Sequence, residues 1–156
     1  MIKVYIPGFG TLQLTELVLD FNGTLAYDGK LIAGVTERLE KLSQDLHIHV
    51  VTADTFGSAG NAVADLKCML AILGTFDQPI AKLDYIKRLG CEHTVCIGNG
   101  RDDRLMLEAA SLGIAVMQPE GVAIEALLAA KVAVPDIRAA LDLLLHPQRL
   151  AATLRA

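Results

Sequence analysis

Apolar residues fall along this chain in two rhythms. Short runs bounded by turn formers, LVLD at 17–20, HIHVVT at 47–52, KCMLAIL at 67–73, TVCIG at 94–98 and GIAVM at 113–117, read as buried strands. Between them, apolar positions recur at helical spacing and predict helices at 34–45, 58–66, 80–89, 102–111, 120–130 and 136–145. Strands alternating with helices predict an α/β fold, a Rossmann-like three-layer α/β/α sandwich with a mostly parallel sheet. Ahead of the first of these strands, IKVYIPGFGTLQL reads as an N-terminal β-hairpin at about 2–16, because two β-rich runs flank the turn formers PGFG. At the other end, HPQRLAATLRA contains Pro147, which stops a helix, and reads as a packed or frayed terminus. No repeat, low-complexity stretch or linker interrupts the pattern, so residues 1–156 read as a single domain.

Composition narrows the class. Hydrophobic residues make up 53% of the chain but aromatics only 4%, with no Trp, so the core is aliphatic. A net charge of −4 provides no basic footprint for nucleic acid or an anionic membrane, and neither is expected as a partner. Small, metal-bound anions stay compatible with it. The three cysteines, Cys68, Cys91 and Cys96, are an odd number without a secretory leader, which points to a reducing, cytoplasmic setting. Charged residues and glycines interrupt every apolar run in residues 1–16, so that segment reads neither as a signal peptide nor as a membrane span.

In an open parallel sheet the ligand lies beyond the carboxyl ends of the strands, so those ends are where chemistry is expected. LVLD ends at Asp20, HVVT ends at Thr52, and TVCIG runs into NGRDD. Lys82 stands near the start of a predicted helix after Pro79, within reach of the same crevice. A carboxylate such as Asp20 can attack phosphorus in line and form an acyl phosphate, although an acid ending a strand also caps turns. Gly23 and Thr24 follow it: Gly permits a backbone cradle for an anion, and Thr adds a hydroxyl donor. Phosphoryl transfer spreads negative charge over equatorial oxygens, and Thr52 and Lys82 are of the types that meet it. Asp20, the Asn22 carbonyl and Asp103 offer the hard oxygens that Mg²⁺ takes, while Asp102 and Asp103 are also acids suited to a helix's first turn.

These residues resemble the haloacid dehalogenase superfamily of phosphohydrolases. DFNGTL at 20–25 is similar to its first motif, VVTADT at 50–55 to its second, PIAK at 79–82 to its third and IGNGRDDRLML at 97–107 to its fourth, in the same order across essentially the whole chain. The strongest resemblance is to the phosphorylation domain of P-type ATPases, with Asp followed by Gly-Thr-Leu, a Thr-Gly-Asp similar to Thr52-Ala53-Asp54, and a Gly-Asp-Gly-x-Asn-Asp loop similar to 98–103. The resemblance implies a soluble, P-type ATPase-like, Mg²⁺-dependent phosphatase. It implies Asp20 as the phosphorylated nucleophile, with Asn22, Thr52 and Lys82 around the reaction. Gly23, Thr24, Thr52, Ala53 and Lys82 would bind phosphate, and Asp20, Asn22, Asn99 and Asp103 would hold the metal.

Three positions depart from the family pattern. Asn22 replaces the phosphatases' second aspartate, Asn99 replaces the first acid of the fourth motif, and Asp102 stands where the pumps carry Asn. The last two read as an exchange of acid and amide within one loop. A non-catalytic member that binds phosphate or a protein partner is the alternative these changes raise. A two-component receiver also sets Asp, Thr and Lys at strand ends, but it requires an acid pair before the phosphorylated strand, and only Glu16 precedes Asp20 here. The segments 26–51 and 55–81 are too short for the family's cap domains, which implies a capless site. Such members act on macromolecules or have a neighbouring subunit over the entrance, so the expected partners are a small phosphorylated substrate or a phosphoprotein, with the hairpin as a contact for a homo-oligomer.

Two other clusters read as structural. Cys91, His93 and Cys96 supply three ligands where closed zinc sites need four, and the cysteines read as core residues. His47 and His49 alternate on a predicted strand and face one side together.

Overall fold

The computed structural model describes residues 1–53 and 57–156. Asp54 and Thr55 of the second motif lie outside the described residues.

Among the described residues, ten strands and seven α-helices follow one another. The hairpin strands are β1 (Ile2–Ile6) and β2 (Gly10–Leu14). The first core strand, β3 (Glu16–Asp20), leads into a two-stranded ribbon, β4 (Ala26–Tyr27) and β5 (Lys30–Leu31), then α1 (Val35–Leu42) and β6 (His47–Thr52). Next come α2 (Ala59–Val63), β7 (Met69–Ile72), α3 (Gln78–Leu89) and β8 (Thr94–Gly98). The chain closes with α4 (Arg104–Ala109), β9 (Leu112–Val116), α5 (Ile124–Ala129), β10 (Val132–Val134), α6 (Ile137–Leu145) and α7 (Pro147–Leu154). The central sheet runs β10-β9-β8-β3-β6-β7, and every pairing in it is parallel. This is the three-layer α/β/α sandwich that the alternation predicts, and the described residues hold no separate cap domain.

The strands at the centre are apolar because both of their faces are covered. Leu17, Leu19, Val50, Val95 and Ile97 point into the larger core, which includes Val35, Leu39 and Leu42 of α1 and Ile137, Ala140, Leu141 and Leu144 of α6. Those helix positions recur every three or four residues and form one buried stripe per helix. Asp136 caps α6 by accepting from Ala139 N (2.9 Å), and the Arg38 guanidinium holds the Asp142 carboxylate at 2.8 and 3.2 Å, joining α1 to α6. Val18, Val51 and Cys96 face the opposite way, into a smaller core with Ile86 of α3, Met106 and Leu107 of α4 and Ala126 of α5. Cys91 packs against that core, whereas His93 is exposed.

Several elements differ from the sequence pattern. Pro147 follows the end of α6 and also opens α7, a helix that the sequence pattern does not predict, since a first turn has no use for the missing N–H, and buried Leu150 packs this terminus on the fold. β10 is only three residues long, too short to register as a periodic run. The ribbon β4–β5 turns at Asp28 and Gly29, both with positive φ, the backbone a tight hairpin demands. The fifth helix begins at Ile124 and not near 120, because Gly121 N closes a turn onto Gln118 O (2.6 Å). Ahead of α4, residues 101–103 form a 3₁₀ turn.

His47 and His49 converge on one carboxylate. Glu16 accepts from His47 Nδ1 (3.0 Å) and from His49 Nε2 (2.8 Å), and His49 Nδ1 meets the Tyr85 hydroxyl at 2.9 Å. This network lies at the amino ends of β3 and β6, away from Asp20 at the carboxyl end.

Candidate active site

The chain leaves β3 for β6 and β7 on one side, then crosses back to β8, β9 and β10 on the other. Strand order therefore reverses between β3 and β8. The crevice above that reversal is where a parallel sheet leaves room for a ligand. Asp20 ends β3 in this crevice beside Gly98, which ends β8.

Lys82 reaches the same point from α3 and is 1% exposed. Its three ammonium donors meet three carboxylates: Asp20 Oδ1 at 3.0 Å, Asp102 Oδ2 at 2.8 Å and Asp103 Oδ1 at 2.7 Å. Burial opposes the charge on Lys82, but the carboxylates of Asp20, Asp103 and Asp102 outweigh it and raise the pKa above the ordinary lysine value. One cation cannot neutralise three acids. Burial, then the charges of Asp103 and Asp102, pushes Asp20 up to about 7 against the pull of Lys82. Asp103 also moves upward, chiefly by burial, with Lys82 and the Gly100 N–H opposing.

Asp103 also builds the loop that carries it. Its Oδ2 accepts from the backbone N–H of Asn99 (3.0 Å) and of Gly100 (2.9 Å), and this folds residues 98–103 around a buried carboxylate. A Cβ on Gly98 would lie 2.5 Å from that Oδ2 and 2.8 Å from Asp103 Cβ, so only glycine fits there. Gly98→Ala is expected to cost about 1–3 kcal/mol by overpacking. Thermal melts would show this as a fall of at least about 2 °C. An unchanged melt would mean that Asp103 does not pack on Gly98.

The turn after β3 completes the first-motif side. Gly23 has φ +78 and donates its N–H to Ala26 O (2.9 Å), so its own amide is used within the turn. Thr24 is fully buried, and its hydroxyl lies 3.3 Å from Asp20 Oδ2 and 3.2 Å from Asn99 Oδ1. Asn99 bridges further, donating from Nδ2 to Gly121 O at 3.1 Å. Asn22 is exposed, with its backbone in an isolated bridge to Ala26. Thr52 is buried at the end of β6, its carbonyl accepting from Leu73 N (2.9 Å), and Ala53 is half-buried beyond it.

Asp20, Lys82 and Asp103 thus meet directly, with Thr24 and Asn99 one hydrogen bond away. Asp102 joins them: oxygens of Asp20, Asp102 and Asp103 all lie within 4.8 Å of one another. Three carboxylates around one ammonium leave an excess of negative charge on hard oxygens, a donor set that fits Mg²⁺. Sequence reasoning did not single out Gln118. Its amide donates to Gly23 O and Thr24 O from the end of β9, a strand end like those that carry Asp20 and Thr52.

No family model matches the chain. The uncharacterized protein MJ0073 of Methanocaldococcus jannaschii is 43% identical over 82 residues, which are 50% of this chain and 88% of that protein. The chain belongs to the same family. Solved structures extend the likeness to the whole architecture. The cobalt-bound deoxy-D-mannose-octulosonate 8-phosphate phosphatase of Haemophilus influenzae matches with a TM-score of 0.72 at 19% identity, over 92% of this chain and 94% of that one. The 3-deoxy-D-manno-octulosonate 8-phosphate phosphatase of Moraxella catarrhalis, solved in complex with magnesium ion, phosphate ion and KDO, matches with a TM-score of 0.71 at 18% identity, over 91% of this chain and 94% of that one. At these identities the likeness is one of fold, the haloacid dehalogenase-like α/β fold. No helix among the described residues is long and apolar enough to cross a membrane.

Proposed function

We propose that this protein is a Mg²⁺-dependent phosphohydrolase of small phosphorylated substrates that works through an aspartyl phosphate on Asp20. The observation that carries the reading is the Asp20 carboxylate at the switch point of the sheet, hydrogen-bonded by buried Lys82 and flanked by Asp102 and Asp103. In its ionised form an Asp20 oxygen attacks phosphorus, an acyl phosphate bond forms, and the bond to the leaving oxygen breaks. Water then attacks the same phosphorus, its proton passes to a phosphoryl oxygen, and the Asp20 carboxylate leaves with its electron pair as inorganic phosphate forms. Lys82, Thr24 and Thr52 are of the chemistry that stabilises charge on the phosphoryl oxygens. Asp20, Asp102 and Asp103 would hold Mg²⁺, which supplies further positive charge when bound.

Asn99 Oδ1 faces the Thr24 hydroxyl, and Asp102 adds the second loop carboxylate. That supports reading the two as an exchange in which the amide becomes a strut and the acid serves the metal. The P-type ATPase-like first motif supports a phosphoenzyme that lasts, since Asn22 cannot take a proton from water.

Beryllofluoride with Mg²⁺ mimics a phosphorylated carboxylate and tests the reading. At about 100 times Kd it would stabilise the folded state by about 2.7 kcal/mol. That corresponds to a rise in Tm of about 5–10 °C for a chain of this size. The shift should vanish in Asp20→Asn, and the wild type should release phosphate from aryl phosphates. Absence of both a shift and turnover would sink the phosphohydrolase.

A further inference from the structure

Gln118 follows β9 and is 6% exposed. Both of its amide hydrogens are used on successive peptides of the first-motif turn, at Gly23 O (2.7 Å) and Thr24 O (2.9 Å). Its Oε1 accepts from Ile137 N (2.9 Å), one of the N–H groups that the start of α6 cannot satisfy within the helix. Only a primary amide offers two donors and an acceptor at one side-chain tip. Gly23, with φ +78, lets two successive carbonyls turn to the same side and meet it.

The segment that begins with Gln118 also holds the fourth-motif loop. Gly121 O accepts from Asn99 Nδ2 (3.1 Å), and Ala123 N donates to Asn99 O (2.9 Å). Residues 118–123 therefore tie the turn after Asp20 to the loop that carries Asp102 and Asp103.

We propose that Gln118 is a positioning residue that fixes the Gly23–Thr24 turn and so keeps the Thr24 hydroxyl on Asp20; its effect on rate rests on the phosphohydrolase reading, while its effect on the turn does not. A phosphate approaching Asp20 meets a turn whose two carbonyl oxygens are already committed to Gln118. Loss of the donors strands two buried acceptors, and the turn must reorient them toward water or the incoming anion. Thr24 then loses its place between Asp20 and Asn99.

Gln118→Met and Gln118→Glu separate the possibilities. Met fills the space without donors, whereas Glu keeps the acceptor for Ile137 N and regains one donor when protonated. Backbone hydrogen exchange, corrected for intrinsic pH dependence, is expected to speed up at least tenfold in residues 21–26 of the Met variant while 94–98 stay protected. In the Glu variant, protection of 21–26 should rise more steeply as pH falls than in the Met variant, which keeps only the response that Asp20 gives wild type as well. With an aryl phosphate and Mg²⁺, kcat/KM of the Met variant is expected to fall at least tenfold. Protection of 21–26 equal to wild type in both variants would overturn the proposal. So would an equal loss in 21–26 and 94–98, which would mark Gln118 as a general stability tie. If the wild type neither turns over nor binds beryllofluoride, the phosphohydrolase fails, and the exchange data still decide the role of Gln118. Should Gln118→Met not fold, the pH response of 21–26 in Gln118→Glu beyond that of wild type decides it, and an equal response overturns the proposal.

Discussion

Asp20→Asn is expected to abolish turnover and, in metal-free buffer above pH 7, to raise the melting temperature. The loss follows because the amide oxygen is a poor nucleophile, and removing the attacking group of a covalent mechanism costs on the order of 10⁴–10⁶ in rate. The gain follows from the charge balance around Lys82. Folding carries Asp20 from an ordinary value of 3.8 to about 7, first through burial and then through Asp103. Between those values the folded state holds a proton that the unfolded chain has released, so stability falls as pH rises through this window. The cost is absent below about pH 4 and fully present above about pH 7. Asparagine never ionises, so the variant escapes it. Its Tm should match wild type near pH 4 and exceed it by at least about 2 °C at pH 8. Mg²⁺ favours the ionised carboxylates and should narrow the gap. Residual turnover in the purified variant would remove Asp20 from the mechanism. Coincident melts at pH 8 without metal would show that the carboxylate carries no penalty.

The same site shows what a sequence can and cannot reveal. The strands at 47–52 and 94–98 match their predicted runs residue for residue, because nearly every position in them is buried between the two helical layers and turn residues bound them. The ends of those strands then direct attention to Asp20, Thr52 and the 98–103 loop. Lys82 was harder to weigh, since a lysine near a helix start is ordinarily solvated. Its burial follows from the crossing of α3 behind three acids, a long-range fact that no local pattern encodes. Asp102 was legible only as one of a pair, with helix-capping and metal roles both open. Geometry brings one of its carboxylate oxygens within 4.8 Å of an oxygen of Asp20 and of Asp103. Gln118 carried a signal that was overlooked: it stands just past the strand end at Val116, and the rule that found Asp20 applies to it equally. The β4–β5 ribbon was signalled too, by Asp28-Gly29 between apolar neighbours. Pro147 follows the end of α6, as the pattern predicts, and also begins α7, because the residue that breaks a helix interior suits a first turn.

Asn22→Asp is expected to speed breakdown of the aspartyl phosphate by about 10²–10⁴, the usual worth of a placed general acid–base. In the resembled phosphatases an aspartate at this position protonates the leaving oxygen and then takes a proton from the attacking water. An amide does neither. Asn22 is exposed on the turn two residues past the buried Asp20, so a carboxylate there would be solvated and free of the burial cost that Asp20 bears. Its backbone bridge to Ala26 does not depend on the side chain, so the turn should survive the change. Wild type should therefore form the intermediate readily from aryl or acyl phosphates, whose leaving groups need no proton, and only slowly from alkyl phosphates. Acid quench after a single turnover with a chromogenic aryl phosphate would trap phosphoenzyme in the wild type and much less in Asn22→Asp. The variant should also gain on alkyl phosphates more than on aryl phosphates, because only the former need the acid. If dephosphorylation in Asn22→Asp is no faster than in wild type, the amide does not limit turnover, and the barrier must be sought in the approach of water to Asp20.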